Sequence, residues 1–225
     1  VRLEPTCLTS TAVVAVAREC LDHWQANVSQ VDVDGDPSAL HQTRVGLRRF
    51  RSALSLFRRA LDDPQVEWLG DEVRELALPL GDARDLDVLM AEPGLVDRLD
   101  PSALSQLSEQ RRAAYVRVGE LLDSTRWADV WVLVERFLDR APWDLEPDPP
   151  AVVTAADALQ RRWRRILRDG GDLAALSAAD RHRVRIQAKK LRYGAQFFAD
   201  LFPDHEGDDP SKYASTLGRA QDALG

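Results

Sequence analysis

HQTRVGLRRFR occupies residues 41–51. It holds four arginines and a histidine, with no acid, in a chain of net charge −7. On a helix turning about 100° per residue, His41, Arg44, Arg48 and Arg51 fall at about 0°, 300°, 340° and 280°. They make a cationic stripe about 80° wide. Leu47, Phe50, Leu54 and Phe57 fall at about 160–240° and form the apolar face next to it. The stretch therefore reads as an amphipathic helix whose positive stripe borders the core face instead of opposing it.

The same word occurs a second time. His182-Arg183-Val184-Arg185-Ile186-Gln187-Ala188-Lys189-Lys190-Leu191-Arg192 shares the pattern H-x-x-R-[VI]-x-x-[RK]-[RK]-[FL]-R, matching seven of eleven positions in chemical type. Internal duplication explains this better than chance. His182, Arg185, Lys189 and Arg192 take the same angles, with Val184, Ala188, Leu191, Ala195 and Phe198 as the apolar neighbours. Arg49 and Lys190 are the remaining cations of each word.

Positive charge is sorted onto these segments. Residues 38–61 and 178–199 together hold twelve Arg or Lys against one acid, Asp180, a net of +11 that leaves −18 on the rest of the chain. Cations beside a core are costly unless something compensates them. On the residues alone, two answers stay open. Acids on other helices neutralise the stripes internally, or a polyanionic ligand in a groove does so.

The remaining composition bounds the class. The chain has 225 residues, 44% apolar and 30% charged, the profile of a globular protein with room for a core. No apolar run reaches the length of about 18 residues that a membrane span needs, and no secretory leader is visible. The expectation is a cytoplasmic protein with no membrane partner. The first residue is Val1, so the chain is expected to be processed or cut from something longer. Cys7 and Cys20 make neither a metal pair nor a disulfide framework, and read as buried reduced thiols.

Strand signals are nearly absent, and prolines and glycines fall between segments of helical period. Helices are expected near 9–30, 38–62, 65–91 with a bend at Pro79, 101–124, 126–140, 151–169, 178–202 and 209–225. Asp36-Pro37 and Asp100-Pro101 read as N-caps followed by proline at the first helical position. Ser177-Ala178-Ala179-Asp180 resembles a capping box. The longest linker is EPDPP at 146–150, which places a divide between a first repeat, 1–145, and a second, 146–225.

A second motif follows the first stripe. Leu80-Gly81-Asp82-Ala83-Arg84-Asp85-Leu86-Asp87-Val88 puts Gly81 40 residues after His41, and Leu224-Gly225 puts Gly225 43 after His182. The paired stripes, this LGDARDLDV segment and the KKLRY continuation together resemble the CHAD domain, the conserved histidine α-helical domain, from about residue 9 to the end. The resemblance implies an all-α fold of two pseudo-symmetric four-helix repeats around a basic central channel. It implies binding of inorganic polyphosphate, with targeting to polyphosphate granules, and a fused or associated CYTH-type (triphosphate tunnel) domain as partner. The family pattern continues beyond Leu224-Gly225, so the second repeat is expected to be incomplete there.

Polyphosphate suits the residues. It carries about one charge per phosphate and no bases, so its receptor needs a path of cations and little else. The expected binding residues are His41, Arg44, Arg48, Arg49, Arg51, His182, Arg185, Lys189, Lys190 and Arg192. Tyr193, beside the second stripe, can offer a hydroxyl. Arg84 is read first as an internal ion pair with its neighbouring aspartates, and by resemblance as a channel residue. Gly194 reads as helix crowding. Arg161, Arg162, Arg164, Arg165 and Arg168 are expected mostly to face solvent, as are Arg111 and Arg112.

Other functions fit less well. Each histidine is surrounded by cations that repel a metal, so no metal is expected. The stripes carry no carboxylates for Mg²⁺ and no activated nucleophile, so neither catalysis nor a cofactor is expected. Nucleic acid is the rival ligand. Reading bases calls for aromatics between the cations, and the six tryptophans, Trp24, Trp68, Trp127, Trp131, Trp143 and Trp163, read as core. A helical scaffold for a protein partner is the third reading. It predicts that replacing Arg48, Arg51, Lys189 and Arg192 with Ala destabilises the fold.

Overall fold

In a computed structural model of the chain, residues 1–172 and 175–202 are described. Their α-helices are α1 Thr9–Val28, α2 Pro37–Leu61, α3 Pro64–Met90, α4 Leu95–Arg98, α5 Pro101–Leu122, α6 Thr125–Asp139, α7 Ala151–Asp169 and α8 Ala178–Phe197, followed by a 3-10 turn at Ala199–Leu201. Among the described residues there is no strand, only an isolated antiparallel bridge between Leu8 and Pro150. None of these helices is long and apolar enough to cross a membrane. The fold is all-α, as expected from the sequence. The expected helix at 209–225 and the second Leu-Gly word lie outside the described residues.

The start signals act as read. Asp36 Oδ1 accepts from the Ser38 amide at 2.8 Å, ahead of Pro37. Asp100 accepts from the Ala103 amide at 2.9 Å, with Pro101 at the first helical position. Ser177 Oγ accepts from the Asp180 amide at 3.1 Å, and its hydroxyl donates to the Asp180 carboxylate at 2.6 Å. One expectation differs from the structure. The short helix α4 has no counterpart among the expected helices, because four residues are too few to show a period. Helix α3 runs through Pro79 as the single helix expected near 65–91, although proline supplies no donor for the Glu75 carbonyl.

The chain forms two compact units. One, unit 1, takes Val1–Arg18, Ser52–Val66 and the described residues from Arg140 onward; the other, unit 2, takes Glu19–Arg51 and Glu67–Asp139. These units are not the contiguous stretches 1–145 and 146–225. They record which helices pack together, whereas the repeat records which segments share a sequence pattern. The first stripe lies in unit 2 and the second in unit 1.

In unit 1 the proline linker is held fast. The Thr9 amide donates to the Pro149 carbonyl and the Ala151 amide to the Cys7 carbonyl, both at 2.9 Å. Thr9 Oγ1 also donates to the Pro149 carbonyl at 2.8 Å. Helices α7 and α8 pack together. Phe57 of α2 meets Phe198 edge to face, with ring centroids 5.4 Å apart. A Cβ on Gly194 would stand 2.9 Å from Leu159 Cδ2 and 3.1 Å from Leu56 Cδ2, so this glycine is present for helix crowding, as read.

In unit 2, Trp24 is buried and takes edge contacts from Trp127 and Trp131 at 5.1 and 5.4 Å. Trp143 is buried in unit 1. Trp68 and Trp163 depart from the core reading, being 44% and 47% exposed. Cys20 is buried, and desolvation pushes its thiol up to about 11. Cys7 is only half-buried.

Gly46, inside the first stripe, is dictated by packing. A Cβ there would lie 2.8–2.9 Å from Trp24 Cβ, Cα and N, which includes the backbone of α1. Backbone cannot swing aside as a side-chain end can. Gly46→Ala is therefore expected to lower stability by about 2 kcal/mol, because overpacking outweighs the gain of about 1 kcal/mol in helix propensity. Gly119, where an added Cβ would meet nothing within 4 Å, is the control. Gly119→Ala should raise stability in the same urea titration by about 0.5–1 kcal/mol.

Candidate functional site: two cationic helix stripes

The core faces predicted beside each stripe are buried at Leu47, Phe50, Leu54 and Phe57 on α2 and at Val184, Ala188, Leu191 and Phe198 at α8, while Ala195 is half-buried. This leaves the stripe cations at the edge of the core, half in and half out of water. His41, Arg44, Arg48 and Arg51 are half-buried on α2, as are Arg185, Lys189, Lys190 and Arg192 on α8. The histidines differ, since His182 is exposed.

In unit 2 the stripe lies against α3. Arg44 Nη1 donates to the Ala77 carbonyl at 3.2 Å, and Arg51 Nε donates to the Gly70 carbonyl at 3.0 Å. A Cβ on Gly81 would stand 2.7 Å from Arg44 Nη1. The glycine of the LGDARD word thus makes room for the guanidinium. Both arginines are held below their ordinary range, chiefly by desolvation. Arg48 and Arg84 lower Arg44 further and Arg74 lowers Arg51, while Asp82 and Asp85, or Asp71 and Glu75, offset this in part.

His41 sits in the same cluster. Burial first, then Arg84, Arg48 and Arg44, push it below its ordinary value near 6.5. The unfolded chain thus binds this proton more tightly than the folded one. Its contribution lowers stability as pH falls from about 6.5 through the lowered folded value. His41→Gln should remove that part of the acid-side loss, read as the difference between the two chains' urea stabilities across that window.

Arg49, expected among the binding residues, stands apart from the other stripe cations. At about 80° on the wheel it points away from the stripe, and its Nη2 pairs with Glu19 at 2.6 Å. Lys190 holds the equivalent position on α8. Tyr193 is 5% exposed, with the Arg192 guanidinium 5.5 Å from its ring centroid, so its ring acts as packing and cation support. Arg48, Lys189 and Lys190 each have an interaction partner of their own.

Four arginines stand apart. Among the described residues Arg44, Arg51, Arg185 and Arg192 make no salt bridge. The first two donate to neutral carbonyls, and the Nε atoms of Arg185 and Arg192 are buried without an acceptor. Arg49 thus has a carboxylate in contact, although its Nε too is buried without an acceptor, and these four have none in contact among the described residues.

Arg84 reaches Asp87 at 4.0 Å, the internal pair expected for it, while also facing His41 and Arg44. Asp87 has nearer partners that the sequence does not announce. Arg111 Nε donates to Oδ1 at 2.8 Å and Tyr115 Oη donates to Oδ2 at 2.9 Å. Arg111 Nη1 also donates to the Val33 carbonyl at 2.8 Å. Arg111 is thus a structural cation and not a solvated one. Desolvation and Asp87 push Tyr115 up to about 12.

Comparison with known proteins agrees with this reading of the fold. The CHAD domain profile matches residues 15–225. The chain belongs to the CHAD domain family. It is similar to the crystal structure of the CHAD domain from the plant Ricinus communis, with a TM-score of 0.82 and 30% identity, covering 100% of this chain and 76% of that one. Two relatives from Mycobacterium tuberculosis, MT2285 of strain CDC 1551 / Oshkosh and Rv2226 of strain ATCC 25618 / H37Rv, are each 29% identical over 206 residues, 83% of this chain. The chain spans 38% of the length of each of these two relatives.

Proposed function

We propose that this chain binds inorganic polyphosphate through its two cationic stripes and does not turn it over. One observation carries the reading. Arg44, Arg51, Arg185 and Arg192 are half-buried, yet among the described residues none is paired with a carboxylate. A desolvated cation with no carboxylate in contact, only partly offset by acids further off at Arg44 and Arg51, raises the energy of the empty protein. Phosphoryl oxygens relieve that cost, and guanidinium forks hold two of them at once. Arg48, Lys189, Arg84 and the two histidines extend each track. A scaffold that used its stripes to hold itself together would show Arg44, Arg51, Arg185 and Arg192 paired with carboxylates, as Arg49 is with Glu19.

The longer relatives leave room for a second domain, and a fused or associated CYTH-type domain is the partner we propose. Residence at polyphosphate granules would follow from the binding itself.

Single-stranded nucleic acid has one observation in its favour. Trp163 is exposed beside Arg162 and Arg164 on α7, a cation–aromatic pattern that suits base stacking. Competition decides between the two. Labelled long-chain polyphosphate should be displaced by unlabelled polyphosphate at far lower phosphate concentration than by single-stranded RNA, and Trp163→Ala should leave the curve unmoved. RNA displacing it equally well would overturn the assignment. Salt dependence is expected to be steep for either ligand.

Bound phosphoryl oxygens favour the charged form of His41, so binding takes up a proton there. Polyphosphate affinity should strengthen as pH falls from about 8 to about 5.5, with a smaller change in His41→Gln, by calorimetry at constant ionic strength.

A further inference from the structure

Unit 1 holds a second group of cations that the repeated motif does not account for. Helix α7 carries Arg161, Arg162, Arg164, Arg165 and Arg168. Acids of the same helix engage three of them. Arg161 pairs with Asp157, while Arg165 and Arg168 reach Asp169 at 3.5 and 2.9 Å. Arg162 differs. Its described partner is neutral: Nη2 donates to Ser55 Oγ of α2 at 2.9 Å.

The surroundings fix this arginine. Gly194 of α8 closes on Leu159 and Leu56. Arg162 lies one turn beyond Leu159 on α7, and Ser55 is the neighbour of Leu56 on α2. The Arg162 stem therefore starts at a junction of three helices. Desolvation, then Arg161 and Arg165, push this guanidinium down to about 10. It stays charged in any ordinary buffer, so the depression marks a cation short of counter-charge. Arg59, one turn after Ser55, is exposed and adds to the field, lowering Arg161. Among the described residues it makes no salt bridge.

We propose that Ser55, Arg59, Arg161 and Arg162 form a binding site for a phosphoryl oxyanion, outside the two repeated stripes. Ser55 Oγ accepts from Arg162, so its own proton is free to donate to an anionic oxygen. Arg162 spends one N–H on Ser55 and keeps the rest of its fork for a ligand. Arg59, exposed one turn along α2 from Ser55 and close enough to lower Arg161, supplies a further cation. Asp157 shares Arg161, which favours a ligand of more than one charge over a halide. Free phosphate and a phosphate unit within a longer chain present the same oxygens.

Calorimetric titration of the full chain with inorganic phosphate and, separately, with tripolyphosphate tests the site. Arg162→Met should weaken the response by about tenfold and Arg59→Gln by about threefold, each a charge-assisted contact or less. Arg59 is exposed, so its variant keeps the fold even if Arg162→Met does not. A response to phosphate alone assigns the site to the free oxyanion. A response confined to tripolyphosphate assigns it to a chain segment, and both uphold it. The site is overturned if both variants bind both ligands with the parent's affinity, or if the parent binds neither. A chain with its stripe arginines replaced should keep this response, so loss of the stripe function leaves the test intact.

Discussion

A chain carrying glutamine at Arg44, Arg51, Arg185 and Arg192 is expected to lose polyphosphate affinity by about a thousandfold or more while melting no lower than the parent. Each charge-assisted contact contributes about 1.5 kcal/mol, or roughly tenfold, so four lost contacts compound even if they are not fully additive. The melting expectation follows from what these groups do without ligand. Arg44 and Arg51 donate to carbonyls, a task glutamine can share, and both are depressed by desolvation and like charge. Arg185 and Arg192 each hold a buried donor without an acceptor. Removing such groups relieves the empty fold. The control is Arg49→Gln, which breaks a pair with Glu19 and should leave binding within about threefold while costing up to about 1 kcal/mol of stability. If the fourfold variant binds as the parent does, the stripes are not the site. If it unfolds, they are structural. Thermal melts and calorimetry on the same preparations separate these outcomes.

The stripes are legible in the sequence because two periods coincide in them. Apolar residues at helical spacing mark the core face, and cations at the same spacing fall beside it, so burial of Leu47, Phe50, Val184 and Leu191 follows from the wheel alone. The helix starts are legible because Asp36, Asp100 and Ser177 act on amides only two or three residues away. Partners distant in sequence are not. Nothing near Arg49 announces Glu19, and nothing in LGDARDLDV announces Arg111 or Tyr115, because a wheel gives direction and not what lies there. Gly81 carries a usable signal, since a glycine inside a helical pattern asks what comes close; the answer, Arg44, needs the packed helices. Trp68 and Trp163 mislead because large aromatics are buried on average, and an average does not decide a single helix face.

Asp87→Ala is expected to cost about 3–5 kcal/mol, because it removes one partner of a buried ion pair and leaves the other behind. The Asp87 side chain is 1% exposed, and Arg111 and Tyr115 reach its two oxygens at 2.8 and 2.9 Å. Without the carboxylate, Arg111 keeps its bond to the Val33 carbonyl but loses its counter-charge. Arg84 loses its nearest carboxylate as well, 4.0 Å away. The losses are graded. Asp87→Asn keeps an acceptor of the same shape and should cost less than Ala. Tyr115→Phe removes a single hydroxyl and should cost about 1–2 kcal/mol. In a double-mutant cycle, Asp87→Ala combined with Arg111→Met should be less destabilising than the sum of the two, since the second change removes the charge that the first strands. Urea titrations of the four chains measure this. Asp87→Ala within about 1 kcal/mol of the parent would show that water reaches and solvates Arg111, and that the carboxylate of the LGDARDLDV word does not anchor α3 to α5.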